Sequence, residues 1–268
     1  LNTLSQMVEI MSRGGGVGIN LSSLRPRGAR VQKVNGFSSG PINWAELFSV
    51  ATRDIIQQGG SRRGALMLML WDWHPDVEEF ITVKQDLTRI NGANLSVCVS
   101  DAFMEAVKKD ADWDLVFPDR SDPEYDEKWD GYLPNWLKLG KKVIVQKTIK
   151  ARALWDLIAK AAWQSAEPGV VFMERYNKWF NNYYWEFINC VNPCVTVDTL
   201  VSTTNGMQTI GYLYQEGKPF TVIVDGNQYL SSPVFKTGTR PVYRLKTREG
   251  YELRLTKDHK VYTPEGKI

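Results

Sequence analysis

Two glycine-rich stretches, two imidazoles and three thiols are the groups in this chain whose type and spacing can do chemistry. The first stretch, Arg13-Gly14-Gly15-Gly16-Val17-Gly18-Ile19-Asn20, offers bare backbone that a ligand can approach closely. It follows a helical pattern instead of a strand, so it fails the context of a dinucleotide-binding fingerprint and suits a tight helix-to-strand turn equally well. The second, Gln58-Gly59-Gly60-Ser61-Arg62-Arg63-Gly64-Ala65, sets two guanidinium groups beside accessible glycines. That combination can hold a phosphate or a nucleobase edge, and by itself it is also common in solvated loops. His74 precedes Pro75 with no metal ligand or nucleophile nearby in sequence, and reads as structural. Cys98, inside the strand-like run Leu95–Val99, reads as a small buried hydrophobe. Cys190 and Cys194 are four positions apart, and three cysteines do not make a disulfide framework.

The elements that must carry these groups follow from periodicity. Leu4, Met7, Val8, Ile10 and Met11 fit a helix, and a second helical pattern runs over Ile42–Gln57. Ala65–Trp71 reads as a strand, followed by a short helix through Phe80, and Ile149–Ser165 reads as helical throughout. Beyond Cys194 the texture changes to short Val/Thr/Tyr-rich runs with regular turn signals: Val195–Val201, Gly206–Tyr212, Phe220–Val224, Val242–Lys246 and Tyr251–Leu255. Such spacing predicts a small all-β unit. All ten tryptophans lie at or before Trp185, and the last 75 residues hold none. The pattern therefore places a domain boundary between residues 1–193 and 194–268.

Composition limits the function classes. A chain of 268 residues suits one large domain or two smaller ones. Thirty-three basic against 30 acidic residues leave a net charge of +3, too balanced to point to a nucleic-acid or membrane-surface partner. The apolar run Ala65–Trp71 is far short of the roughly 20 residues of a membrane span. With no charged-then-apolar leader at its start, the sequence reads as cytoplasmic. Its first and last residues read as the interior of a longer protein.

The ordered set Asn2-Thr3-Leu4, Gly14–Asn20, Leu24-Arg25, Ser39-Gly40-Pro41, Gln58–Ala65, Trp73-His74-Pro75-Asp76, Asn94-Leu95-Ser96-Val97 and Asn192-Pro193-Cys194 resembles the large subunit of ribonucleotide reductases. The Asn-Pro-Cys form and the Asn181–Glu186 approach are more similar to the adenosylcobalamin-dependent (class II) enzymes than to the diiron ones. The resemblance covers nearly all of residues 1–193. It implies a ten-stranded α/β barrel with a radical cysteine on an internal loop, a ribonucleotide substrate, adenosylcobalamin as cofactor, and a dithiol reductant such as thioredoxin. It also implies a dNTP or ATP effector and a homodimer when mature. Carried over by motif, Asn2, Arg25 and Arg63 contact the effector nucleotide; the family usually has Asp at the position of Asn2. Gly15, Gly16 and Ser39 lie near the substrate, and Asn192 hydrogen-bonds the ribose hydroxyls. No metal site is implied.

In that family Asn-Pro-Cys continues with Gly-Glu, the Glu being a catalytic carboxylate. Here it continues Val195-Thr196-Val197-Asp198-Thr199-Leu200-Val201. This block, with Asn205-Gly206 and Thr209-Ile210, resembles the opening of an intein, and Thr256-Lys257-Asp258-His259 resembles the Thr-x-x-His block of the same Hint splicing fold. The resemblance implies that Cys194 attacks the Pro193 carbonyl, turning the peptide bond into a thioester. His259 then protonates the leaving amine and Thr256 holds the scissile peptide. The partners required are the C-terminal intein half and the downstream extein, which would supply the radical cysteine. The competing reading is an uninterrupted reductase fragment, with Cys194 as the radical thiol and a C-terminal β-domain for binding or regulation.

Overall fold

The structure is a computed structural model that describes residues 1–12, 16–31, 35–56, 65–86, 88–179, 187–191, 200–224, 227–231, 233–234, 243–246, 252–255, 262–263 and 266–267. The chain divides into two compact units, Leu1–Asn192 and Pro193–Ile268.

The first unit opens with α1 (Asn2–Ser12), whose Met7 and Met11, one turn apart, turn inward. β1 (Gly16–Asn20) follows, then the short pair β2 (Arg30–Val31) and β3 (Gly36–Phe37). α2 (Pro41–Val50) starts with proline at its first position, where the missing N–H has no partner to lose, and runs on as a π-turn over Ala51–Ile56. β4 (Ala65–Trp71), α3 (Val77–Thr82), β5 (Asn94–Cys98) and α4 (Asp101–Lys109) come next. They are followed by β6 (Asp112–Pro118), α5 (Tyr125–Lys128), α6 (Leu133–Lys138), β7 (Val143–Lys150), α7 (Ala151–Ser165), β8 (Gly169–Val171) and α8 (Met173–Trp179).

β1, β4, β5 and β8 form a parallel sheet in that order, with Val17 opposite Leu66, Leu68 opposite Leu95 and Val97 opposite Val170. β4, Ala-Leu-Met-Leu-Met-Leu-Trp, is apolar at every position because both of its faces are covered. Leu66, Leu68 and Leu70 join the helix-side core with Phe80, Phe103 and Leu154. Met67, Met69 and Trp71 point to the other face and pack with Cys98, Val171 and Met173. Between β5 and β8, β6 and β7 pair antiparallel, and the stretch between them carries α5 and α6 around a small core of Phe117, Tyr125 and Trp136.

The helical reading of Ile149–Ser165 is corrected at its start. Ile149 and Lys150 close β7, opposite Trp113 and Asp112, and the helix begins at Ala151. His74 is a satisfied core side chain, as its sequence context predicts. Its Nδ1 accepts from the Asp76 N–H at 3.1 Å, so Nε2 keeps the proton and donates to the Leu24 carbonyl at 3.0 Å. Burial holds its pKa down at about 4, so the ring is neutral.

The second unit contains β9 (Leu200–Thr203), β10 (Gly206–Thr209), α9 (Ile210–Glu216), β11 (Phe220–Val224) and β12 (Asn227–Ser231), its four strands in one antiparallel sheet ordered β10-β9-β11-β12. Two hairpins follow, β13 (Tyr243–Lys246) with β14 (Glu252–Leu255), and β15 (Tyr262–Thr263) with β16 (Gly266–Lys267). The all-β expectation is corrected by α9. The run Gly206–Tyr212 stops being a strand at Thr209, whose hydroxyl accepts from the Tyr212 N–H at 3.1 Å and caps the helix, and Gly217 ends it at φ 61°. Val195–Thr199 lies outside the described residues.

Candidate functional site

In the first unit, the loop after β1, the β2–β3 pair, the start of α2 and the helix α5 surround a cavity of about 530 Å³. Ser23, Arg25, Ser39 and Asp126 supply its polar groups, with Phe37, Trp44 and Tyr125 as aromatic walls. The Ser38 hydroxyl is already engaged, donating to the Arg25 carbonyl at 3.0 Å and accepting from the Gly40 N–H at 3.1 Å. The Arg25 guanidinium lies 5.7 Å from the centre of the Tyr125 ring and 3.5 Å from the Asp126 carboxylate. Burial raises the Tyr125 hydroxyl above its ordinary value against the opposing pull of Arg25. Because Asp126 is 71% exposed, its pairing with Arg25 is weak, and a phosphate entering the cavity can displace it. A cation and a hydroxyl beside aromatic walls can hold a phosphate and a flat ring. Two residues that the sequence assigned separately, Arg25 to an effector and Ser39 to a substrate, line this same cavity.

The other predicted site residues are dispersed. Asn2 is exposed at the start of α1, and Gly16 opens β1 opposite Ala65; neither lines the cavity. Gly15, Arg63, Asn192, Cys194, Thr256 and His259 lie outside the described residues.

The structure adds a group that the sequence reading passed over. Asp72, at the carboxyl end of β4, is fully buried. Its Oδ2 accepts from the Ser100 N–H at 2.6 Å and the Ser100 hydroxyl at 2.8 Å. Its Oδ1, like the indole Nε1 of Trp71 and of Trp73, has no hydrogen-bond partner among the described residues. Burial lifts the Asp72 carboxyl to about 7, with the Ser100 bonds pulling the other way and the charge of Glu174 adding to the rise. The carboxyl ends of parallel strands are where α/β sheets receive ligands. A buried polar atom left unpaired costs about 1–3 kcal/mol, so each of these three atoms carries an unmet demand for a partner. The signal was present in the sequence as an acid between two tryptophans. Cys98 and Cys190 face the same side, and burial raises both thiols, so neither is an activated nucleophile.

Residues 1–205 match the family model for the ribonucleotide reductase barrel domain. Among similar proteins, the vitamin B12-dependent ribonucleoside-diphosphate reductase of Thermoplasma acidophilum is 36% identical over 193 residues, covering 72% of this chain and 22% of its own length. The enzyme of the same name from Mycobacterium tuberculosis (strain ATCC 25618 / H37Rv) is 35% identical over 199 residues, covering 74% and 25%. The ribonucleoside-diphosphate reductase NrdEB subunit alpha of Bacillus subtilis is 28% identical over 287 aligned residues, covering 98% and 26%. The chain thus spans about a quarter of the length of the curated relatives it matches. With a parallel α/β sheet, and a match that takes in every element of the first unit, the chain belongs to the ribonucleotide reductase barrel-domain family.

Proposed function

We propose that the chain is part of a class II ribonucleoside reductase precursor, one that makes deoxyribonucleotides by thiyl-radical chemistry and is interrupted at Asn192-Pro193-Cys194 by a self-splicing Hint segment. The observation that carries this reading is the residue after the cysteine. Cys194 is followed by Val195 and Thr196 where the reductase pattern has Gly and the catalytic Glu, so the carboxylate that radical chemistry uses is absent at that point. The division into compact units at Asn192/Pro193 supports it, as does the coverage of 72–74% of the chain by two of the reductase relatives. The Bacillus subtilis relative aligns over 98% of the chain, so its alignment takes in residues of the second unit as well.

In the splicing step the Cys194 thiol adds to the Pro193 carbonyl, the C–N bond breaks, and the amine leaves with a proton from His259 while Thr256 holds the oxyanion. In the reductase step Asn192 would hold the ribose hydroxyls, with Gly15, Gly16 and Ser39 assigned to the substrate and Asn2, Arg25 and Arg63 to an effector by resemblance. Since Arg25 and Ser39 line one cavity, a nucleotide bound there would meet both. Adenosylcobalamin, when bound, supplies the radical. That cofactor carries its cobalt in its own corrin ring and needs no cluster of protein ligands, and the described residues hold no group of three His, Cys, Asp or Glu side chains able to bind a separate metal ion. No described helix is long and apolar enough to cross a membrane.

Two measurements test the reading. Calorimetric titration with dNTPs should give heat with the parent chain and none with Arg25→Ala; equal heats from both folded proteins contradict the nucleotide assignment. Assay with adenosylcobalamin, nucleotide and dithiol should give no deoxynucleotide, and turnover that disappears in Cys194→Ala would restore the uninterrupted-enzyme reading.

A further inference from the structure

Phe187–Val191, the run that leads directly into Asn192-Pro193-Cys194, belongs to no helix or strand. Irregular backbone at such a place must still satisfy its polar groups. Two asparagine side chains do so. Asn177 on α8 treats Ile188 as a neighbouring strand would: its Oδ1 accepts the Ile188 N–H at 2.6 Å and its Nδ2 donates to the Ile188 carbonyl at 2.8 Å. A third bond, from Nδ2 to the Met173 carbonyl at 3.0 Å, fixes that amide to its own helix. Asn20, the last residue of β1, donates from Nδ2 to the Asn189 carbonyl at 2.9 Å and lies 3.0 Å from Asn189 Oδ1. Its own Oδ1 is held by the Ser22 N–H at 3.0 Å, which fixes the amide's orientation.

Packing completes the grip. The Cys190 thiol donates to the Gly18 carbonyl at 3.1 Å, and a Cβ on Gly18 would lie 2.6 Å from the Val191 carbonyl oxygen. Glycine is therefore required there so that the run can lie against β1. At the other end, the Phe187 ring sits 4.6 Å from that of Tyr132.

We propose that Asn20 and Asn177 are positioning residues that set the conformation of the chain entering the Asn192–Cys194 junction, acting through Ile188 and Asn189. This rests on the reading that chemistry occurs at that junction. It does not depend on whether Cys194 acts as splicing nucleophile or as radical thiol. A junction displaced by about 1 Å can lose on the order of 10²-fold in rate, so two amide clamps within five residues of it are consequential.

The test uses the full chain and two readouts. Hydrogen exchange at the Ile188 amide should rise at least tenfold in Asn177→Ala, with the amides of β4 unchanged. Asn177→Asp keeps an acceptor for that N–H and should restore most of the protection. Capture of the Pro193–Cys194 bond by added thiol, with the continuation of the splicing domain supplied in trans, should slow about tenfold in Asn20→Ala and Asn177→Ala, and more in Gly18→Ala. Unchanged Ile188 exchange in Asn177→Ala overturns the clamp. Faster exchange with an unchanged capture rate overturns the positioning role. If the parent itself never cleaves, the splicing reading fails, and the exchange comparison then decides the clamp alone.

Discussion

Strands of the two units differ in how deeply they bury the apolar side chains described. In the first, Leu66–Trp71 are all buried, sandwiched between a helix-side core and the Met67/Met69/Trp71 face. In the second, Thr203 and Leu213 are buried, while Leu230 is 79% exposed and Met207 61%. A parallel sheet needs cover on both faces, and the first unit provides it from its own helices. In the second, the hairpin strands β10 and β12 carry Met207 and Leu230 at the surface.

The largest expected effect breaks this contrast where it is sharpest. Leu68→Ala, at the centre of β4 and fully buried, should cost about 2–5 kcal/mol. Every tryptophan precedes Cys194, so fluorescence-monitored denaturation reads this unit alone. Leu230→Ala should change the stability of its own unit by under about 0.5 kcal/mol, measured by circular dichroism. Comparable losses from both would show that the second unit has a core as complete as the first.

The next effect is on pH dependence. With its folded pKa raised from 3.8 to about 7, Asp72 binds a proton more tightly in the folded state. It therefore lowers stability progressively as pH rises between those values. His74, held down to about 4, acts in the opposite sense: its contribution is complete above pH 6.5 and is lost as pH falls toward 4. Asp72→Asn should remove only the first slope, so the variant gains on the parent from pH 4 to 7 and then levels off. A difference that is constant with pH would refute the burial-driven shift.

The smallest effect compares one helix cap in each unit. Ser100 caps α4 by accepting the Phe103 N–H at 3.1 Å, as Thr209 caps α9. Thr209→Ala should cost about 1 kcal/mol. Ser100→Ala should cost more by thermal melting, because it also removes a hydrogen bond from buried Asp72. Equal costs would mean that the Ser100–Asp72 bond adds nothing.

Local pattern made part of this legible. The unbroken apolar run of β4 and the helical spacing of α1 declare themselves, because burial on both faces or on one face leaves a fixed period. The boundary of α7 was missed because Lys147-Thr148-Ile149-Lys150 alternates as a strand only while β6 is its partner. α9 was missed because Thr209 reads as a strand former until its hydroxyl is seen to cap a helix. The cavity beside Arg25 was half legible. Arg25 and Ser39 could be named from their motifs, whereas Tyr125 reaches it from a segment 100 residues beyond Arg25. Asn20 and Asn177 left no signal, since an amide that pairs with backbone 11 or 169 residues away has the same sequence context as one in water.

The central claim is that Cys194 begins a splicing segment, and its direct test is the Pro193–Cys194 bond. Proline on the acyl side constrains the tetrahedral intermediate, so Pro193→Gly with the continuation of the splicing domain in trans gives the reaction its best opportunity. After incubation with excess thiol, intact mass spectrometry should show one fragment ending at residue 193 and another beginning with Cys194. Cys194→Ala should abolish both fragments and His259→Ala should slow their appearance severely. A folded, complemented Pro193→Gly protein that stays whole would contradict the account.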